Sequence, residues 1–292
     1  MNALQHLEQH KVIQSFDRVA QTYEQWAKLQ KIVGENLLER LDWLKINPHQ
    51  ILEVGAGTAR LSRHLTQRYP QAKIYSIDIS TKMLQVAQTR VAQKPSQPYF
   101  ICANASQLPL ADNSIDLLMS NLMLQWCNDI NLVFAEFARV LKSDGTLFFS
   151  TFGPDTLIEL RQSWAQVDNA SHVNYFVDMH DLGDALLHAG LIDPVMDVDR
   201  FQLTYADIRK VMRELKQIGA QNITAGRPHG LMGKTKFNAM LAAYEQYRTK
   251  EGLLPVTYEV VYGHAWGPKN QKSLPTSSHT VTIPISQIKK AN

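Results

Sequence analysis

The chain has 292 residues, more than one small nucleotide-type domain needs and fewer than two large ones, so a single α/β domain with a lid or an insertion is expected. Hydrophobic residues at 45% and charged residues at 20% exclude a disordered chain, and a net charge of +3 lacks the dense basic excess of a dedicated nucleic-acid binder. Cys102 and Cys127 stand in apolar surroundings outside any CxxC spacing, the opening "MNALQHLEQHKVIQSFDR" has no signal-type apolar core, and no run approaches ~18 apolar residues. Buried free thiols, a cytoplasmic location and no membrane partner are the expectations.

Residues 12–45 are helix-rich, with Phe16, Val19, Ala20, Tyr23, Ala27 and Gln30 falling near one face. A phenol and an amide on that otherwise apolar face mark it as a lid. Asn47 and Pro48 end the region, and "ILEVGAGTARLSRHL" then reads as strand, tight turn and helix. "AKIYSIDIS" gives a second strand ending at Asp78, and "TKMLQVAQTRVAQ" a helix that Ser80 or Thr81 can cap. "QPYFICANA", "SIDLLMSN" and "GTLFFSTF" supply strands three to five, with "INLVFAEFARVLK" as a helix before the last. The alternation predicts a mainly parallel, doubly wound sheet.

Beyond Pro154 the rhythm changes. Helices are predicted in "PDTLIELRQSWAQV", in "DMHDLGDALLHAG" with Gly190 as its stop, and in "DIRKVMRELKQIGAQN", where Arg209, Arg213 and Lys216 share the polar side. "LIDPVMDVDRFQLTY" and "LPVTYEVVYGHAWG" look extended, and the tail after Gly267 is read as partly disordered, with "TVTIPI" able to pair at an edge. The resulting divisions are an N-terminal helical lid over 1–46, a cofactor-binding core over 47–153, a helical substrate or partner insertion over 154–254, a late strand completing the sheet over 255–267, and a tail over 268–292. His172, His180, His229 and His264 are too scattered for a metal motif, so each is expected to be structural and no metal is predicted.

The glycine turn limits the ligand. A dinucleotide fingerprint needs Gly or Ala where Arg60 stands, and no Lys-Ser/Thr pair follows as in a P-loop. A ligand with a ribose and no phosphates survives. Asp78, 23 residues after Gly55, can accept from ribose hydroxyls, Met83 can cover an adenine face, and Asn104 and Ala105 can meet its edge.

With "EVGAGT", "SIDIS", "ANASQLPLADNSIDLLMSN" and "RVLKSDGTLFFST" in order, the chain resembles a class I methyltransferase over roughly residues 45–153. That resemblance implies a Rossmann-like fold, S-adenosyl-L-methionine as cofactor, and a binding set of Gln30, Glu53, Gly55, Ala56, Gly57, Asp78, Met83, Asn104, Ala105 and Asn121. The flanking "FDRVAQTYEQWAKLQ", "SNLMLQWCND", "TFGPDTLIELRQSW", "HVNYFVDMHDLGDALLHAG", "LKQIGAQN", "GRPHGLMGK" and "TYEVVYGHAW" look like the BioC family of malonyl-acyl-carrier-protein O-methyltransferases. The resemblance covers the chain to about Trp266 and implies methylation of the malonyl carboxylate on acyl carrier protein, or on coenzyme A, for biotin synthesis. Tyr23, Trp126 and Arg161 are the substrate-positioning candidates, with Arg161 nominated to grip the carboxylate, and the basic row at 209–216 to steer an acidic carrier. Two alternatives stay open: a methyltransferase or hydroxylase acting on a small acid, a quinone precursor or a protein arginine, as in a mitochondrial relative that shares the "DTL-x-ELR"-like segment, and a non-catalytic assembly factor that binds the cofactor.

Overall fold

The computed structural model describes residues 6–91, 97–228, 230 and 233–269. Seven strands form one sheet in the order β3-β2-β1-β4-β5-β7-β6: β1 (Gln50–Val54), β2 (Lys73–Asp78), β3 (Tyr99–Cys102), β4 (Ile115–Asn121), β5 (Leu141–Phe152), β6 (Ile192–Tyr205) and β7 (Leu254–Trp266). The first five run parallel, and β7 pairs antiparallel with both β5 and β6. β5 begins at Leu141, four residues before the predicted start, because Leu141 pairs with Ile115 ahead of a register shift in the ladder.

Ten helices flank the sheet among the described residues: α1 (Gln9–Val19), α2 (Tyr23–Trp26), α3 (Lys28–Glu39), α4 (Arg60–Arg68), α5 (Thr81–Val91), α6 (Ile130–Val140), α7 (Ile158–Ala165), α8 (Met179–His188), α9 (Ile208–Gln217) and α10 (Lys234–Tyr244). Strand alternation sorts the core into two layers. Ile51, Leu117, Phe148 and Val260 pack with α3, α4, α7, α9 and α10, whereas their neighbours Leu52, Leu118, Phe149 and Val261 pack with α6 and α8. The α8 stop is Gly190 at φ 82°, as predicted, and Ser80 caps α5 by accepting from Met83 N–H through its hydroxyl.

Three features differ from the sequence reading. The segment 154–254 is not wholly a helical insertion, because β6 within it is an edge strand paired with β7 over most of its length. The lid is not one helix through Phe16–Gln30 but three, interrupted after Val19 and at Ala27, whose ψ of 50° leaves the helical region. Cys102 is exposed at the end of β3 rather than buried, and Cys127 is half-buried; both are free thiols. His172 stacks on Trp164 and bonds Asp168, His180 bonds the Asp178 cap, and His264 bonds Thr146. His229 and the tail from 270, including "TVTIPI", lie outside the described residues.

Candidate functional site

Strand order reverses between β1 and β4, and the crevice at the carboxyl ends of those strands is where doubly wound sheets bind ligands. Gly55 and Gly57 turn the chain there at φ of 75° and 52°. A Cβ placed on Gly57 would meet nothing within 4 Å, so the bare backbone faces open space that a ligand can enter. Asp78 borders that space. Its carboxylate accepts from Gly57 N–H at 2.8 Å and Ser80 N–H at 2.7 Å, which fixes its orientation. Burial pushes its pKa up against the lowering effect of those backbone donors, so two further hydroxyl donors from a ribose would suit it.

The inner pocket around this turn has a volume of about 120 Å³. Of the predicted residues, Tyr23, Gln30, Gly55, Gly57, Asp78, Met83, Asn104, Ala105, Asn121 and Trp126 line it together. Several have structural partners that set their role. Asn104 accepts from Ser106 through its side-chain oxygen, and Asn121 spans the site by donating to the Gln30 carbonyl at 3.0 Å and accepting from Ser150 at 2.8 Å. Trp126 meets the Phe16 ring edge-to-face at 5.1 Å. Burial, then the Asp78 and Glu24 carboxylates, push the Tyr23 phenol pKa well above its ordinary value, so it enters the site as a neutral donor.

Three nominated residues stand elsewhere. Glu53 is buried under the turn, where it accepts from both Ser62 N–H and the Ser62 hydroxyl, and that hydroxyl contacts Ser76 Oγ at 2.6 Å. It braces β1 against α4 and β2 instead of touching the pocket, and burial pushes its pKa up to about 7. Ala56 is buried, with its N–H on the Ile77 carbonyl. Arg161 spends its guanidinium on the carbonyls of Pro154 at 2.7 Å and Thr156 at 3.0 Å, and it lines neither cavity. A half-buried guanidinium so occupied stabilises the turn before α7; it is not available as a carboxylate grip.

Sequence reasoning missed Glu24. Its carboxylate accepts from the Thr58 hydroxyl at 2.6 Å and Arg63 at 2.9 Å and pairs with Arg90, tying the lid to the residue after the glycine turn. The partners lie 34 and 39 residues away for the first two, beyond any local pattern.

Beside the inner pocket lies an outer cavity of about 1170 Å³, walled largely by segments between Thr156 and Tyr258. Gln30, Gln125, Trp126, Phe152, Ile218 and Ala220 border both. Gln125 is fixed there by donating to the Leu122 carbonyl and accepting from Thr151. Charge divides the two spaces. Among the described lining residues the inner pocket has Asp78 as its one charged side chain, whereas the outer cavity carries Lys28, Lys210, Lys216, Arg227 and Lys236 beside the carboxylates Asp168 and Glu214. Arg209 and Arg213 are exposed on α9 outside it, Arg227 is paired with Glu8, and Lys236 with Asp168. No three His, Cys, Asp or Glu among the described residues stand together as a metal-binding group.

A bare glycine turn, a ribose-compatible carboxylate and, among the described lining residues, no cation for a phosphate fit S-adenosyl-L-methionine, and with the doubly wound sheet they define a class I methyltransferase. Residues 52–149 match a family described as a methyltransferase domain. Solved structures agree on the fold: a methyltransferase from Bacillus halodurans has a TM-score of 0.57 at 16% identity, covering 81% of this chain and 99% of that one. A phosphoethanolamine N-methyltransferase from Haemonchus contortus, itself in complex with S-adenosyl-L-methionine, scores 0.54 at 16% identity over 87% of this chain and 57% of that one. The chain belongs to the malonyl-[acyl-carrier protein] O-methyltransferase family. Relatives of that name are 49% identical in Gallionella capsiferriformans, over 87% of this chain and 89% of the relative, and 39% identical in Coxiella burnetii, over 98% of both.

Proposed function

We propose that the protein transfers a methyl group from S-adenosyl-L-methionine to the free carboxylate of a malonyl thioester, with malonyl-acyl carrier protein as acceptor, to give the malonyl methyl ester used in biotin synthesis. The observation that carries this reading is that the small inner pocket and the large outer cavity lie side by side and share Gln30, Gln125, Trp126 and Phe152 as lining residues. A cavity of about 1170 Å³ is much larger than a malonyl group requires, and suits an acyl group delivered on a long arm.

Bound S-adenosyl-L-methionine supplies a methyl group activated by a positively charged sulfur. Gly55, Gly57, Asp78, Met83, Asn104 and Ala105 would hold it, with the glycine turn leaving room and Asp78 placed to accept from the ribose. The chain's remaining task is to align the acceptor. Carboxyl groups ordinarily titrate near ~4, so the malonate oxygen is already anionic near neutrality and no general base is required. Trp126 and Phe152 wall the junction and exclude water, and the Gln30 amide and Tyr23 hydroxyl offer neutral hydrogen bonds that orient without quenching a nucleophile as a tight ion pair would. Fixing the reacting atoms about 3–3.5 Å apart and in line is a large part of the acceleration available.

The exposed Arg209, Arg213 and Lys216 support a carrier-protein partner, because rim charge raises encounter rate and is screened by salt. No described helix is long and apolar enough to cross a membrane, and we place the reaction in the cytoplasm, a compartment compatible with the free thiols. Purified protein with methyl-labelled cofactor, offered malonyl-carrier, malonyl-CoA and free malonate, tests the reading. Label is expected in base-labile ester on malonyl-carrier at the highest kcat/KM; no transfer to either malonyl thioester overturns it.

A further inference from the structure

The inner pocket is roofed by two pieces of chain far apart in sequence. Gln9, Val12 and Phe16 come from α1, while Ile218 and Ala220 follow α9. The second piece also borders the outer cavity, through Ile218, Ala220, Asn222 and Arg227. One segment therefore closes both spaces, and whatever holds it to the N-terminal arm holds both shut.

The ties between the pieces are dense. Leu7 forms an antiparallel bridge with Thr224, Glu8 N–H donates to the Ile223 carbonyl at 3.1 Å, and Ala225 N–H donates to the His6 carbonyl at 2.8 Å. Leu7, Val12 and Ile223 pack as a small apolar cluster against Phe16 and Trp126, separate from the main core. Asn128, just after Trp126, anchors the arm to the sheet side by accepting from Leu7 N–H at 2.7 Å and donating to the Leu7 carbonyl at 3.1 Å. Across the outside lies an ion pair: Arg227 donates to the two Glu8 oxygens at 2.9 and 3.4 Å while also donating to the Thr224 carbonyl at 2.7 Å. Lys11 adds a second cation to Glu8. Gly219, at φ 75°, lets the segment pass against Ser15 and Phe16, where a Cβ would crowd both at 3.3 Å.

We propose that the Glu8–Arg227 pair is the latch of a two-piece clasp, a pair of positioning residues that keeps the α1 arm and the 218–228 segment closed over the inner pocket and the inner end of the outer cavity together. Cofactor exchange and admission of the acyl arm are then coupled: releasing the latch loosens the roof of one space and the wall of the other. The small volume of the closed inner pocket, about 120 Å³, agrees with a roof that must yield when ligand enters. The pair joins two peripheral pieces apart from the main core and still meets solvent, at 15% and 20% exposure, so salt weakens it and its loss is read in opening. The acyl-arm half of this inference rests on the proposed acceptor; the cofactor half does not.

The test is release of S-adenosylhomocysteine followed by stopped flow in the full-length protein, for Glu8→Arg, Arg227→Glu and the charge-exchanged double variant. Each single variant should release the ligand roughly two- to fivefold faster, as expected for a partly exposed pair, with an unchanged thermal midpoint. In turnover, KM for both cofactor and malonyl-carrier should rise while kcat holds, and the double variant should recover toward wild type. Unchanged release in both single variants overturns the latch, as does a lowered midpoint that the exchange fails to restore. Release needs no acceptor, so a wild type that binds the ligand but does not methylate malonyl-carrier would overturn the proposed acceptor and leave the latch standing.

Discussion

The two chambers of the site are made differently. The inner pocket takes its floor from residues at the carboxyl ends of β1, β2, β3 and β4, set by parallel strand register over short loops, and its described lining holds one charged side chain. The outer cavity is assembled from α3, the segment after β5, β6, α9 and the chain beyond it, and carries charges of both signs, five cations with Asp168 and Glu214. A cofactor common to many acceptors needs a fixed cradle, which a sheet provides at low conformational cost. The outer cavity, the proposed acceptor chamber, draws instead on pieces outside the cradle, in line with the general rule that function is grafted onto folds. Gln30, Gln125, Trp126, Phe152, Ile218 and Ala220 are the residues that border both chambers.

The sharpest way to break this contrast is Gly57→Val, which places a branched side chain in the open space and at a φ of 52° that such residues resist. Loss of measurable cofactor binding by calorimetry is expected in a protein that still folds; retained binding would mean that the turn is not the cradle. Asp78→Ala comes next. Removing an acceptor that also holds Gly57 and Ser80 should weaken cofactor binding by about 1–3 kcal/mol, with malonyl-carrier KM much less affected at saturating cofactor.

Arg161→Gln tests the division from the other side. Its two carbonyl partners lie within its own segment, so the expected effect is about 1–3 kcal/mol of stability in denaturant titration and an unchanged KM for malonyl-carrier. A raised KM with unchanged stability would restore Arg161 to the substrate site. Tyr23→Phe should lower kcat several-fold and leave cofactor affinity near wild type if the hydroxyl serves the acceptor side; turnover equal to wild type at saturating substrate would make Tyr23 a packing residue.

A last test concerns the brace beneath the cradle. Because burial lifts Glu53 from 4.5 to about 7, the folded protein keeps a proton that the unfolded chain has released across that interval. Its contribution to stability therefore falls as pH rises from about 4.5 to about 7 and is level above. Glu53→Gln removes the titration, so the difference in thermal midpoint between variant and wild type should shift in the variant's favour from about pH 5 to about pH 8. A constant difference would show that Glu53 is ionised throughout.

The sequence by itself determined the sheet and the cradle, because both rest on local signals. Short, nearly continuous apolar runs set β1 to β5, the Gly55 and Gly57 turn demanded positive φ, and Asp78 fell at a strand end whose register with β1 is fixed by a short parallel crossover. Even the late strand and the Gly190 stop were legible, from an apolar, β-branched and aromatic run and from glycine's freedom at positive φ. Tertiary structure alone decided which polar residues were free to act. Glu53, taken from the family resemblance, and Arg161, nominated from its position, are each consumed by partners that only folding brings near: Ser62 across the turn, and two carbonyls in a loop whose shape no propensity specifies. Glu24 and the Glu8–Arg227 latch lay hidden for the same reason, since a carboxylate and its partners 34 or 219 residues away leave no periodic trace. Side-chain pairing across such separations is set by the packing of whole elements, and packing is a property of the folded chain as a unit.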